Sequence, residues 1–477
     1  MANVPAFETA ELRLTKYYLD KLRAATDAVS RGHAELFYGL ELFDQEWAQI
    51  QHWQERAAQA CGVSSEWARL CVEFPIAGAT VLAIRHTPAE RQHWWEAALH
   101  AARQINDAHA ERVILTALAT SYSGLGNLEQ ADRCARGLLE LARQANDKLH
   151  MGRAYYILGT IREDMGQHAA AVRYYNRSLK FFRSSQHHID RGRALLGLGS
   201  IATVEGRYAD AYRSFRDYLT IAEASGREAD LITALQAISE VLRLLKRYDE
   251  AEAYLQQSIG RCRTLHNQWG LGLSLMAMGV VATEQGKLDS ARAYLEDGVQ
   301  IARKFTAQRD LINGLWGLGT VIYRQGHPAD ALTSLHEALE LSHSMGLPYM
   351  ACYVQRTLAS VYLALDRRHE ARAALQEALK TAHSLGATPE IIMALTSAAV
   401  YAQALGHVAD AAVWAGYIRD HPDVDRSEYR ALSASLEHDL PSDDFARLLG
   451  RGKGLTLESV LADVFKLIDA DGSDGSM

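Results

Sequence analysis

Eight alanines stand at a fixed interval of forty residues, and no insertion or deletion interrupts the series. They are Ala131, Ala171, Ala211, Ala251, Ala291, Ala331, Ala371 and Ala411. A period this strict indicates one supersecondary unit copied end to end, in which each copy buries its apolar face against its neighbours. Such an array directs the search for function away from a catalytic pocket and towards a long concave surface.

Other columns repeat in step with the alanine. The residue thirteen positions before it is usually leucine, and the position after that leucine is always small, as in Gly159, Ser239 and Ala359. Five residues before the alanine stands a glycine, except at Lys246 and Asp366. Apolar residues on both sides of this glycine recur at helical spacing, which predicts two helices per unit. We expect the glycine to end the first helix in the left-handed conformation, and the small residue to let the two helix backbones approach closely.

These columns resemble those of the tetratricopeptide repeat (TPR). Leu318-Gly319, Gly326, Ala331 and Leu335 show the match within one unit. The usual unit has about thirty-four residues, and the forty-residue unit is similar to a longer-helix variant found in some scaffold proteins and many bacterial signalling proteins. The resemblance implies an all-α fold, a right-handed α-α superhelix (TPR solenoid) with N- and C-terminal helical caps.

The flanks predict a five-part organisation. Residues 1–75 form an N-terminal helical cap, 76–105 a degenerate repeat in which Arg91 replaces the alanine, and 106–425 the eight units. Residues 426–468 form one or two capping helices, and 469–477 a disordered tail. A cap is favoured for the aromatic-rich N-terminal region because the first repeat needs a polar outer cover. A separate binding site there is the alternative.

The flanks also resemble the repeat arrays of bacterial STAND-type (NB-ARC or LuxR-type) signalling ATPases. Tyr17-Tyr18-Leu19, the stretch 39–44 and the segment 450–458 carry this resemblance. It implies a ligand-sensing array. ATP hydrolysis is not carried over, because the chain has no GxxxxGK[ST] phosphate loop.

Composition bounds the partners. The net charge of −8 disfavours nucleic acid and anionic membranes, which attract basic surfaces. No run of about eighteen apolar residues predicts a membrane span, and the N-terminus lacks a signal-peptide pattern. We therefore expect a cytoplasmic protein with five reduced cysteines.

Motifs for chemistry are missing from the sequence. It contains neither HExxH nor GxSxG. His93 and His100 share one helix face, and surface histidines are the favoured interpretation. The prediction is a non-enzymatic protein with no cofactor and no metal.

Candidate binding residues come from the columns that the resemblance places on the concave face. Two clusters are rich in arginine and aromatic side chains, which dominate binding hot spots. The first comprises Arg153, Tyr156, Arg193, Gln236, Glu240 and Arg243, and the second comprises Asn313, Trp316, Tyr323, Arg324, Tyr353 and Arg356. Packing against the next repeat is the alternative for Trp316, and intramolecular salt bridges are the alternative for Arg153 and Arg193.

The functional hypothesis is a TPR scaffold or adaptor in bacterial signalling or regulation. It would hold a protein or peptide segment, extended or helical, in its concave groove. The inward columns lack the lysines and asparagines with which some family members clamp a chaperone tail, so that ligand is disfavoured. The alternative hypothesis is the ligand-sensing subunit of a defence or transcription-regulatory system, working with a separate effector protein in trans.

Overall fold

The computed structural model describes residues 6–31, 33–86, 88–182, 188–304, 308–386, 388–421, 424 and 426–470. Within these ranges the secondary structure consists of twenty-three α-helices and no strands. The expectation of an all-α repeat fold is confirmed. The chain divides into unit 1, Met1–Arg247, and unit 2, Tyr248–Met477.

Unit 1 contains eleven helices among its described residues. They are α1 (Ala6–Arg31), α2 (His33–Ala60), α3 (Ser65–Arg85), α4 (Pro88–Gln104), α5 (Ala108–Gly124), α6 (Leu128–Gln144), α7 (Lys148–Asp164), α8 (His168–Phe181), α9 (His188–Val204), α10 (Tyr208–Ser225) and α11 (Glu228–Leu244).

Unit 2 contains the other twelve. They are α12 (Tyr248–Thr264), α13 (Gln268–Glu284), α14 (Leu288–Lys304), α15 (Gln308–Arg324), α16 (Pro328–Ser344), α17 (Pro348–Ala364), α18 (Arg368–Ser384), α19 (Thr388–Ala404), α20 (Val408–Ile418), α21 (Arg426–Asp439), α22 (Ser442–Gly452) and α23 (Leu457–Ala470).

The forty-residue period is preserved in the helix bounds. The first helix of each repeat is α5, α7, α9, α11, α13, α15, α17 or α19, and every one of these begins forty residues after the previous one. The second helices follow after short turns. Gly126 and its equivalents adopt positive φ, and so do the exceptions Lys246 (φ 59°) and Asp366 (φ 55°). The predicted left-handed turn is therefore kept even where glycine is absent.

Close packing inside each repeat explains the small column. A Cβ atom at Gly159 would lie 2.7 Å from the ring of Tyr175, and one at Gly319 would lie 2.6 Å from Leu335. Each partner belongs to the second helix of the same repeat, four residues after the repeated alanine. Ala171 and Ala331 are themselves fully buried. A larger side chain at these columns would overpack the crossing, at about 1–3 kcal/mol.

Within each unit the first helices form the inner face. Successive first helices contact one another, as α5 with α7 and α7 with α9 in unit 1, and α13 with α15 and α15 with α17 in unit 2. In the described part of the chain, second helices of successive repeats make no comparable contacts. Because the first helices are closer together, each stack curves towards them. We call the exposed surface of the first helices the inner face.

The N-terminal helices form two further pairs, α1 with α2 and α3 with α4. Their core contains Trp67, Phe74 and Trp94, each at most 2% exposed. The helix before α4 begins at Ser65, upstream of the boundary at residue 76 that the sequence predicts. Among the described residues, α3 is the one helix with the length and composition to cross a membrane, and 56% of its apolar window is buried within the structure. Core helices meet the same description.

The C-terminal region has three helices instead of one or two. Helix α21 packs against α19 and α20, as α15 packs against α13 and α14. The chain breaks again at Pro441, which precedes α22. The crossing of α22 with α20 is tight, because a Cβ atom at Gly452 would lie 2.0 Å from the carbonyl oxygen of Val413. Of the predicted disordered tail, Asp469 and Ala470 end α23, and residues 471–477 lie outside the described residues.

Candidate protein-interaction face

The first residue of the unit 1 cluster, Arg153, forms a salt bridge within the protein. Its guanidinium donates from Nε to Asp190 Oδ1 (3.1 Å) and from Nη2 to Asp190 Oδ2 (3.2 Å). Asp190 lies on the next first helix, α9, and is 8% exposed. This bidentate pair ties two inner helices together. It favours the intramolecular role of Arg153 over ligand contact.

Tyr156 stands beside a tyrosine that comes from the second helix. The ring of Tyr175 fits between Gly159 and Gly197, where added Cβ atoms would lie 2.7 and 2.4 Å from it. The Tyr175 hydroxyl then donates to Glu163 Oε2 at 2.5 Å, and its ring lies 5.8 Å from that of Tyr156. Burial raises the pKa of Glu163, although the Tyr175 hydrogen bond opposes the shift. Because Gly159 and Gly197 have no side chains, the inner helices leave room for the phenol of Tyr175, which comes from a second helix.

Arg193 is the exposed cation of this cluster. Within the described part of the chain, its guanidinium has no ion pair or hydrogen bond. Its charge lowers the pKa values of Tyr156 and Tyr218, opposing the larger effect of burial, which raises both. The guanidinium is therefore close to both phenols. An accessible cation beside phenolic groups can receive a carboxylate or another anionic group.

The remaining residues of the first cluster lie one repeat further, on α11. Glu240 Oε1 and Arg243 Nη2 form an ion pair of 2.6 Å, with the side chain of Arg243 18% exposed and that of Glu240 50% exposed. Gln236 is half-buried. These three residues add polar groups along the inner face beside Arg193, and the pair neutralises its own charge.

In unit 2 the indole of Trp316 has a partner in the next repeat. Its Nε1 donates to Thr357 Oγ1 at 2.9 Å, and its ring lies 5.5 Å from that of Tyr353 at 32°. Both partners belong to α17. The indole donor of this half-buried side chain therefore has its hydrogen-bond partner within the protein, which favours the packing alternative.

The contacts continue from α17 towards the C-terminus. Tyr353 donates its hydroxyl to Glu390 Oε1 at 2.9 Å. Arg356, 9% exposed, donates to Ser397 Oγ at 3.2 Å and to Glu428 Oε2 at 2.8 Å. Arg356 therefore connects three helices, its own helix α17 and the helices α19 and α21. We call the group Trp316, Tyr353 and Arg356, with these partners, the inner ladder.

The other three residues of the second cluster are placed differently. Asn313 is exposed on the inner helix α15. Tyr323 is half-buried against the core, and burial raises its pKa. Arg324 lines a shallow depression with Asp289 and Arg292 of α14. In the described part of the chain, Arg324 makes no hydrogen bond or ion pair with the inner ladder.

Sequence reasoning missed the acceptors. Asp190 and Glu390 occupy the same position, in the first turn of a first helix, thirty-seven residues after Arg153 and Tyr353. Thr357 and Ser397 follow Trp316 and Arg356 by forty-one. A search for hydrogen-bonding pairs separated by one repeat, plus or minus a turn, would have found both sets.

Groups that could hold a metal ion are not found among the described residues. The five cysteines are free thiols. Burial raises the pKa of Cys71 to about 12 and that of Cys352 to about 11. Thiols with such pKa values stay protonated at neutral pH and are poor nucleophiles.

Comparison with solved structures finds several matches at low sequence identity. The Cut9 chain of the APC/C Cut9-Hcn1 complex matches with a TM-score of 0.49 and 16% identity, over 73% of this chain and 60% of that one. The apo form of RapI matches with a TM-score of 0.48 and 16% identity, over 58% and 99%. A STAND protein with a tetratricopeptide repeat sensor, PH0952 from Pyrococcus horikoshii, matches with 0.45 and 19%, over 70% and 52%. The chain thus spans about 60% of the length of the Cut9 chain.

At these identities and TM-scores the likeness concerns the fold alone. Among curated proteins, no sequence matches significantly. No catalytic family is indicated by the comparisons. The family described as the MalT-like TPR region matches residues 112–412, which run from the second turn of α5 to the second turn of α20. The tetratricopeptide prediction is confirmed, and the chain belongs to the MalT-like TPR family.

Proposed function

We propose that the protein is a non-enzymatic scaffold that binds a segment of another protein on the inner face of unit 1. The observation that carries the proposal is the exposed, unpaired guanidinium of Arg193 among the described residues, beside the phenols of Tyr156 and Tyr218. Membership of a TPR family supports a protein ligand.

The two clusters differ in how far their polar groups already form contacts within the protein. In unit 2, the inner ladder uses the hydrogen-bonding groups of Trp316, Tyr353 and Arg356 within the protein. A ligand there would have to compete with these contacts, whereas Arg193 offers an unused cation. We therefore assign the anchoring role to the Arg193 cluster and expect an acidic side chain or a chain terminus to bind it.

Random peptides displayed on phage test this proposal. Selection on the full-length chain should enrich peptides that carry a carboxylate, and a selected peptide should bind the Arg193→Glu variant at least about tenfold more weakly, because the charge at the anchor is reversed. The measurement is a fluorescence anisotropy titration.

A matched control is Arg213→Glu on the outer helix α10, whose side chain is 75% exposed. This variant makes the same change of net charge on the opposite layer and should bind as the wild type does. Equal loss of affinity in both variants, or the absence of any selected peptide whose binding depends on Arg193, would refute the assignment.

A second candidate function is the sensor subunit of a regulatory system. The family match and the resemblance of the flanks to STAND-type arrays favour it. Under this proposal, the array detects a ligand and a separate chain carries the effector. Purification of the tagged protein from its native cell should then co-purify an ATPase, a protease or a transcription factor in stoichiometric amount. Recovery of the protein alone would count against it.

A further inference from the structure

An aromatic and basic stripe runs along one edge of unit 2. Trp269, Arg309 and Tyr349 are the second residues of three successive first helices, α13, α15 and α17, at the forty-residue spacing. Trp269 is 51% exposed and Tyr349 is 46% exposed, and Arg309 is exposed between them. We call these three residues the edge stripe.

Such exposure is unusual in this unit. Among its described residues, the exposed large apolar side chains are Trp269, Met345, Tyr349 and Val400. Three of the four lie on this edge, because Met345 follows α16 directly and precedes Tyr349 in the same turn region. In unit 1 the equivalent column holds His109, Leu149, Ile189 and Ala229, without an aromatic carbocycle. The repeat itself therefore does not require an aromatic side chain here.

The charge of the edge is positive. Each second helix ends where the next first helix begins, so the last turns of α12 and α14 lie on the same edge. These turns carry Arg261 and Arg263, and Arg303 and Lys304; of these, Arg303 is ion-paired with Glu337 of α16. The first turns of α13, α15 and α17 contribute a single acidic residue, Asp310, within the described structure. Asp310 accepts a hydrogen bond from Trp269 Nε1 at 3.3 Å, which fixes the indole across two repeats.

Helix dipoles explain part of this arrangement, since cations stabilise helix C-termini. They do not explain why an indole and a phenol remain in water on both sides of Arg309. Aromatic faces bind apolar side chains and arginine binds acidic ones, and tryptophan, tyrosine and arginine are the residue types enriched at binding hot spots.

We propose that the edge stripe binds an acidic, extended segment of a partner protein with apolar side chains on both sides of an acidic one. The spacing follows from the packing. Neighbouring helices lie about 8–10 Å apart. A segment in the extended polyproline II conformation rises about 3.1 Å per residue with three residues per turn, which brings every third side chain to the same face. Successive positions of the stripe therefore meet every third residue of the segment, which gives the order apolar, two spacers, acidic, two spacers, apolar.

This surface is distinct from the inner face around Arg193, and its test separates the two. Random peptides displayed on phage are selected on the full-length chain, and the recovered peptides are sorted by their binding to variants. Acidic peptides with the three-residue spacing should be enriched, should lose at least about tenfold in affinity with Trp269→Ala or Arg309→Glu, and should bind Arg193→Glu normally. Higher salt should weaken them, because the contact is between exposed charges.

His109→Ala is the matched control, because His109 occupies the same column in unit 1. It should leave these peptides unaffected. The substituted side chains are exposed, and circular dichroism checks that each variant is folded; Tyr349→Ala provides a second aromatic variant. The absence of acidic peptides, or acidic peptides insensitive to the edge variants, overturns the proposal. Labelled polyuridine RNA is titrated in parallel, and RNA binding that these variants abolish, without peptide binding, also overturns it in favour of nucleic acid.

Discussion

The inner faces of the two units use the same repeat positions for different purposes. In unit 1 the rings of Tyr175 and Tyr218 come from second helices and approach the inner helices at glycines, as at Gly197 and Gly192. Their hydroxyls end on Glu163 and Asp230. In unit 2 the equivalent space is filled by aliphatic and methionine side chains, and residues of the inner helices themselves connect one repeat to the next.

The difference shows that a residue type in a column does not define its role. An arginine at the inner face is exposed at Arg193 and buried at Arg356. Arg356 donates hydrogen bonds to the hydroxyl of Ser397, one repeat further on, and to the carboxylate of Glu428 on α21. Arg193 makes no such hydrogen bond in the described part of the chain, although Asp230 follows it by thirty-seven residues as Asp190 follows Arg153. Asp230 instead accepts a hydrogen bond from the Tyr218 hydroxyl. The neighbouring repeat therefore decides whether an inner arginine is used in stacking, as Arg356 is, or stays exposed, as Arg193 does.

The largest expected effect comes from removing the centre of the inner ladder. Trp316→Ala should destabilise unit 2 by about 3 kcal/mol, because a half-buried ring and its contacts to α17 are lost. Trp316→Phe keeps most of the ring and should cost about 1 kcal/mol, the worth of one hydrogen bond to Thr357. Hydrogen exchange measured by mass spectrometry should show faster exchange in α15 and α17. Unchanged exchange there with weakened peptide binding would reverse the roles assigned to the two units.

Gly159 and Gly197 leave room for the Tyr175 ring, and we call such positions glycine slots. Adding a side chain in one of them tests the packing of unit 1. Gly197→Ala places a Cβ atom 2.4 Å from the Tyr175 ring and should destabilise unit 1 by about 1–3 kcal/mol. Gly124→Ala is the control, since nothing lies within 4 Å of its added Cβ atom, and it should be neutral or stabilising by up to about 1 kcal/mol. Urea denaturation measures both. If the second substitution Tyr175→Leu fails to relieve the first, the slot is not the cause.

The smallest effect is a pH dependence confined to unit 1. His150 is 3% exposed, and burial lowers its pKa while Asp147 opposes the shift. The unfolded chain therefore binds a proton at a higher pH than the folded protein, and stability is lost as the pH falls below the ordinary histidine value of about 6.5. His150→Gln should reduce the fall in urea midpoint between about pH 7.5 and 5.5. An identical fall in both proteins would show that other groups cause it.

The repeat architecture could be predicted from the sequence because the residues at the helix crossings and turns recur at the same positions in every repeat. The left-handed turns and the small column at Gly159 and Gly319 follow from local geometry and are confirmed. The contacts of Trp316 and Arg356 could not be inferred in this way. Their acceptors lie in another repeat, at positions where most repeats have no such partner. The sequence did not predict the third closing helix for a similar reason. Helix α21 packs as a further first helix, although its residues no longer follow the repeat pattern.

The glycine slots have a consequence for how such an array can change in evolution or by design. Gly197 belongs to one repeat, but it accommodates Tyr175 from the repeat before. The equivalent residue of α7 is Ile157, so a helix of that type could not follow a repeat that carries Tyr175. Repeats of this chain are therefore not freely interchangeable. Because Tyr175 also needs Gly159 in its own repeat, the portable module is both helices of that repeat together with the first helix of the next. Successful grafts would carry all three helices.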